Sequence, residues 1–166
     1  MADIKDADSR SKNMSAIKSR DTKPELIIRK ALFADGYRYR VAPGNVLGHP
    51  DIYLPKYKVA VFVHGCFWHR HEGCRYAYVP KSRTDFWNTK FINNINRDKV
   101  VRKGIKEAGI RCIIVWECAI KKAQKKPENM RMLIKHIEEL IASDVVECEV
   151  EAGEGVQTWR DNYNCL

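Results

Sequence analysis

Between residues 110 and 116 the chain reads IRCIIVW, and between 57 and 63 it reads YKVAVFV. Apolar runs this short and this continuous suit strands buried on both faces, the situation of a parallel sheet covered by helices. The segment between them agrees. From Thr84, placed to cap a helix, to about residue 108 the pattern is helical, with Phe86, Trp87, Phe91, Ile95 and Ile105 among its larger apolar groups and Gly109 as its stop. A helix between two such strands supplies the crossover that parallel pairing demands. Upstream, Thr22-Lys23-Pro24-Glu25 predicts a helix start, with Glu25 completing a capping box with Thr22 and Gly36 ending the helix. YRYRV (37–41) alternates and DIYL (51–54) reads as a strand; a last helix is expected from 127 to about 143, its stripe being Met130, Leu133, Ile134, Ile137, Leu140 and Ile141. The order helix, three strands, helix, strand, helix predicts an α/β layer fold with a mixed sheet.

A chain of 166 residues suits one domain with a sizeable core. It contains no run of eighteen apolar residues and no basic leader before an apolar stretch, so the expectation is a cytoplasmic protein without a membrane span. Charge divides the sequence more sharply than hydropathy does. Residues 9–20 carry four basic groups and no acid, and residues 75–103 carry eight against two. Residues 144–166 hold six acids against Arg160, a balance of −5 that leaves +14 on the remainder of a chain at +9 overall. These shifts suggest a basic N-terminal arm over 1–20, a domain over 21–143 and an acidic tail over 144–166. A positive field of that size favours a polyanionic partner, nucleic acid first among them.

The chemistry concentrates in FVHGCFWHRHEGC, residues 62–74. Cys66, His71 and Cys74 have the spacing with which thiolates and an imidazole converge on one tetrahedral zinc ion. For the fourth ligand two candidates stand: Cys118, just after the buried strand, and His69. Cys112, in mid-strand, reads as a core thiol. Zinc closed by four protein ligands holds a loop and activates no water, so catalysis needs other groups. His64 and His69 are candidate acid/base groups, since an imidazole as a residue type titrates near neutral pH, and Asp51, following Gly48-His49-Pro50 at a strand start, either caps its loop or reaches a hard cation such as Mg²⁺. Phe67 and Trp68 sit between metal-binding types in a short loop, where they either pack on the metal site or the sheet or act as aromatic wedges that unstack base pairs. Trp87 and Met14 are placed to enter the same duplex from other directions.

The combination RSKNMSAIKSRDTKPE, GHPDIYLP, VFVHGCFWH, H-x-x-C, SRTDFW…K…N…RD and VWEC, in that order over roughly residues 9–120, resembles the very short patch repair (Vsr) DNA mismatch endonucleases. The resemblance implies a restriction-endonuclease-like three-layer fold, with a central mixed β-sheet flanked by helices and a structural zinc loop. It implies Mg²⁺-dependent nicking of one strand 5′ of the thymine in a T:G mismatch, the product of 5-methylcytosine deamination. By motif, Asp51 and the backbone carbonyl of Val63 would ligate Mg²⁺, and His69 would be the general base. His64 and Glu25 would support the metal's waters and the scissile phosphate, and Cys66, His71, Cys74 and Cys118 would hold zinc. Phe67, Trp68 and Trp87 would form the wedge, with Met14 entering from the opposite groove and Lys90 and Asn94 facing the mismatched bases. The resemblance further implies a monomer in the bacterial cytoplasm, associated with the nucleoid, with MutL and a cytosine-5 DNA methyltransferase as partners. Three departures stand out: Val63 occupies a position where the family commonly has threonine, His71-Glu72-Gly73-Cys74 is one residue longer than the prototype's H-x-C, and no acidic-x-lysine triad follows Asp51.

Overall fold

The computed structural model describes residues 18–153 and, as backbone only, 159–162. Four helices and five strands are described: α1 (Lys23–Ala34), β1 (Ile52–Leu54), β2 (Val59–His64), α2 (Thr84–Glu107), β3 (Arg111–Trp116), α3 (Glu117–Ala123), α4 (Pro127–Ala142), β4 (Glu147–Ala152) and β5 (Trp159–Asn162). The strands form one mixed sheet in the order β1-β2-β3-β4-β5, antiparallel at both edges and parallel across β2-β3-β4. The two runs read from the sequence as fully buried are the adjacent central strands, and α2 is their crossover.

Alternation along these strands sorts the core into two layers. Val59, Val61, Ile113, Val115, Cys148 and Val150 pack with residues of α1, α3 and α4 on one face. Ala60, Phe62, Cys112, Ile114 and Trp116 face the other, where α2 contributes Ile105 and the Cys66 loop lies. The result is the expected three-layer α/β arrangement. On α4, Leu133, Ile134, Ile137, Leu140 and Ile141 are buried, as the stripe predicts. Arg111 closes the carboxyl end of that helix by donating to the carbonyls of Leu140, Ile141 and Ser143.

Several local expectations are corrected. YRYRV is not a strand; it contributes one isolated bridge, Arg40 to Tyr53, while Tyr37 and Tyr39 pack against the core. Thr84 is the first residue of α2 rather than its cap; Arg83 takes the capping position with φ 54° and no side-chain cap bond forms. Glu25 does not complete a capping box. Its carboxylate accepts instead from the Thr22 hydroxyl at 2.8 Å, the Asp21 N–H at 2.9 Å and the buried Arg29 guanidinium at 3.1 Å. The short helix α3 and strands β4 and β5 are additions to the expected order, and β4 takes residues 147–152 of the acidic segment into the sheet beside β3.

Candidate active site and metal centre

Loop 42–50 approaches α2 closely where glycine allows it. Gly48 has φ +79°, and a Cβ there would lie 2.4 Å from Val101 Cγ1. That contact, together with Arg29 donating to the Asp51 carbonyl at 3.1 Å, fixes Asp51 at the entrance to β1. Its carboxylate Oδ2 accepts the Val63 N–H at 2.7 Å. In a strand the N–H and C=O of one residue project to the same side. The Val63 carbonyl therefore lies on the edge that faces Asp51, past Val61, the last β2 residue paired to β1. A carboxylate beside a free-edge carbonyl is an all-oxygen donor set that fits a hard divalent cation. Burial raises the Asp51 carboxyl from 3.8 to about 6, against the lowering effect of the Val63 N–H.

His64 ends β2 on the face occupied by Phe62 and Trp116, and its ring stacks on His69 at 3.7 Å and 8°. Burial, then the neighbouring His69, hold His64 well below the usual imidazole range, so it is neutral at pH 7. Its Nδ1 is a buried side-chain nitrogen with no hydrogen-bond partner among the described residues. His69 Nδ1 lies 2.6 Å from Asp98 Oδ2 on α2. In the neutral ring that bond fixes the Nδ1–H tautomer and leaves Nε2 as a base. Asp98 stands in the sequence as the last residue of the SRTDFW…K…N…RD motif, but without a role, because only the fold brings it to a histidine 29 positions earlier. Arg29 escapes sequence reasoning for the same kind of reason. Donor atoms of His64, His69 and Asp98 lie within 4.8 Å of one another, close enough for a metal, but the short bond commits Asp98 to His69.

Glu25, Asp51, Val63, His64, His69 and Asp98 line a single cleft of about 1090 Å³, together with Trp68, Lys90 and Asn94. Lys18, Arg20, Arg97 and Arg102 also line it, cations that suit a polyanion. Phe67 lies behind Trp68 as the hub of an aromatic cluster, with ring centroids 5.0 Å from Trp68, 5.0 Å from Tyr78, 5.4 Å from Trp87 and 5.3 Å from Phe91. Phe67, Trp68 and Trp87 are half-buried and Phe86 is exposed. Arg70 lies over Phe91, Arg83 over Phe86 and Lys90 over Trp68. A cation-rimmed aromatic platform of this kind offers stacking faces to bases and charge to phosphates. Asn94 donates to the Trp68 carbonyl at 3.0 Å, tying the loop to α2. Met14 lies outside the described residues.

On the other side of the loop, Cys66, His71, Cys74 and Cys118 converge, with all four donor atoms within 4.8 Å of one another. Of the two candidates for the fourth position, Cys118 joins this group and His69 belongs to the cleft. Gly73, at φ +66°, absorbs the extra loop residue, and Cys74 N–H donates to the His71 carbonyl at 3.3 Å. His71 Nδ1 lies 3.6 Å from Cys66 Sγ and 3.5 Å from Cys118 Sγ. A tetrahedral ion with zinc's bond lengths would separate sulfur and nitrogen by about 3.6 Å, so the donor set and spacing fit zinc. Burial works to lower His71, yet its bonds to Cys118 and Glu151 raise it to about 9. Cys66 and His71 hold the Cys118 thiol well below its ordinary value.

Comparison with known proteins gives concordant relatives. The family model described as DNA mismatch endonuclease Vsr matches residues 2–75. The Escherichia coli DNA mismatch endonuclease Vsr is 37% identical over 151 residues, covering 91% of this chain and 95% of that protein. The type II nicking enzyme V.NmeAIP of Neisseria meningitidis is 41% identical over 141 residues, 85% of this chain and all of that protein. A similar nicking enzyme of Xanthomonas oryzae, V.XorIIP, is 40% identical over 107 residues, 64% of this chain and 78% of that protein.

Proposed function

The chain belongs to the Vsr DNA mismatch endonuclease family, and from that premise we propose that it nicks one strand of duplex DNA 5′ of the thymine in a T:G mismatch, in a Mg²⁺-dependent hydrolysis. The restriction-endonuclease-like sheet supports this by carrying Asp51 and His64 on neighbouring strand ends. The observation that carries the reading is the single cleft that joins Asp51, the stacked histidines and Asp98 to the aromatic edge at Trp68.

Asp51 and the Val63 carbonyl would hold Mg²⁺, which supplies charge stabilisation at the scissile phosphate. His69 Nε2 takes the proton of the attacking water, while Asp98, bonded to Nδ1, stabilises the imidazolium that forms. His64 stays neutral and supports the same phosphate from the cleft that it lines with His69, on whose ring it stacks. Glu25 supports the metal's waters indirectly: it holds Arg29, which braces the Asp51 backbone. Zinc bound by Cys66, His71, Cys74 and Cys118 keeps the wedge loop rigid. Phe67, Trp68 and Trp87 unstack the step next to the mismatch, where a wobble pair resists less than a matched one. Lys90 and Asn94 face the mismatched bases, and Met14 of the basic arm enters from the opposite groove.

In this reading the protein acts as a monomer in the bacterial cytoplasm at the nucleoid, beside MutL and a cytosine-5 DNA methyltransferase. The described helices include none long and apolar enough to cross a membrane. The test is Asp51→Ala: mismatched DNA is still bound with near-native affinity and is no longer nicked in Mg²⁺. Nicking that survives the substitution sinks the metal assignment.

A further inference from the structure

Strand β4 reads ECEVEA, and its alternation sends Cys148 and Val150 into the core shared with α3 and α4. Glu147, Glu149 and Glu151 project to the opposite face, toward α2 and the metal loop. Each has a defined partner there. Arg102 of α2 donates to both Glu147, at 3.1 Å, and Glu149, at 2.5 Å. Glu149 also accepts the Trp116 indole N–H at 2.8 Å. Glu151, 6% exposed, accepts from His71 Nε2 at 2.5 Å. The face of the same His71 ring stacks on Trp116 at 4.1 Å and 9°.

We propose that Glu151 is a positioning residue for the metal centre: its carboxylate holds His71 as the Nε2–H tautomer, with Nδ1 bare toward Cys66 and Cys118, so that zinc affinity depends on strand β4. The inference rests on the zinc reading of the loop and adds to it a residue 80 positions away in sequence. The physical case is that a ligating imidazole must present one nitrogen without its proton and in a fixed direction. Trp116 restricts tilt of the ring, but a stacked face still permits rotation within its own plane. Glu151 removes that freedom, selects the tautomer and, being anionic, makes Nδ1 a better donor. It follows that the acidic C-terminal segment belongs to the metal site as well as to the sheet.

The test measures zinc affinity of the full chain by competition with a chromophoric chelator, and the visible d–d bands of the Co²⁺-substituted protein. The variants are Glu151→Ala and Glu151→Gln, with Glu149→Gln as a control that breaks different contacts of the same strand. Glu151→Ala should weaken zinc binding about 10–100-fold. Glu151→Gln, whose amide oxygen still accepts the Nε2–H, should weaken it less, and both should shift the Co²⁺ bands while Glu149→Gln leaves affinity and bands near wild type. Where Glu151→Ala fails to fold by circular dichroism, the Gln variant decides alone. Unchanged affinity in the Glu151 variants, or an equal loss in Glu149→Gln, overturns the inference while a zinc-bearing wild type leaves the metal reading intact. A wild-type chain that takes up no zinc overturns both.

Discussion

Replacing Asp51 by asparagine should make the protein more stable at pH 7 and inactive. The carboxyl is raised from 3.8 to about 6, chiefly by burial, so the folded chain holds this proton where the unfolded chain has lost it. Stability contributed at this position is therefore greatest in acid and falls as pH rises from about 4 to about 6, with the full cost present above. A carboxyl raised that far costs the folded state about 3 kcal/mol at neutral pH. Because the side chain is only partly buried and accepts a bond from Val63 that asparagine's oxygen can also accept, about 2 kcal/mol is the realistic gain, or roughly 4–8 °C in Tm for a chain of this size. The assay is thermal unfolding of the zinc-loaded protein without Mg²⁺ at pH 8, 7 and 5. The advantage of Asp51→Asn should fall to roughly half by pH 5, and added Mg²⁺ should raise the Tm of wild type only. An asparagine variant less stable than wild type at pH 7, or an advantage that grows on acidification, refutes the reasoning.

Asp98→Asn should lower the nicking rate by about 10²–10⁴-fold through loss of the oriented base, with DNA affinity unchanged; an equal loss in binding would mean that Asp98 shapes the cleft instead. Trp68→Ala should reduce the preference for mismatched over matched duplex in a competition binding assay, since stacking on one base is worth about 1–3 kcal/mol, whereas an unaltered ratio would leave the ring a packing role alone. Gly48→Ala should cost more Tm than Gly36→Ala, because both have positive φ but only the Gly48 position meets Val101; equal losses would show that loop 42–50 moves freely off α2.

The central strands are legible because IRCIIVW and YKVAVFV are buried on both faces, so burial alone writes them into the sequence. Strand β4 is hidden by its own partners. Its glutamates alternate in the period of a strand, but counted as charge they resemble a solvated tail, because the cations and donors that neutralise them, Arg102, Trp116 and His71, are remote in sequence. YRYRV misleads in the opposite sense: its alternation is real, yet the tyrosines are satisfied by packing at the rim of the core and need no ladder. At the site, the cysteine and histidine spacing announces the metal loop, and convergence selects Cys118 over His69 as the fourth donor. Arg29 stays invisible and Asp98 shows only as a motif position without a role, because each is an ordinary charged residue on a helix until the sheet brings Asp51 and His69 to it.

The most direct test of the central claim is a strand-resolved nicking assay on short duplexes carrying T:G, or matched C:G or T:A, in several sequence contexts, with Mg²⁺ or with EDTA. The account predicts a nick on the thymine strand alone, at the mismatch alone and only with Mg²⁺. Binding without cleavage in every context, or cleavage of matched duplexes at the same rate, would contradict it.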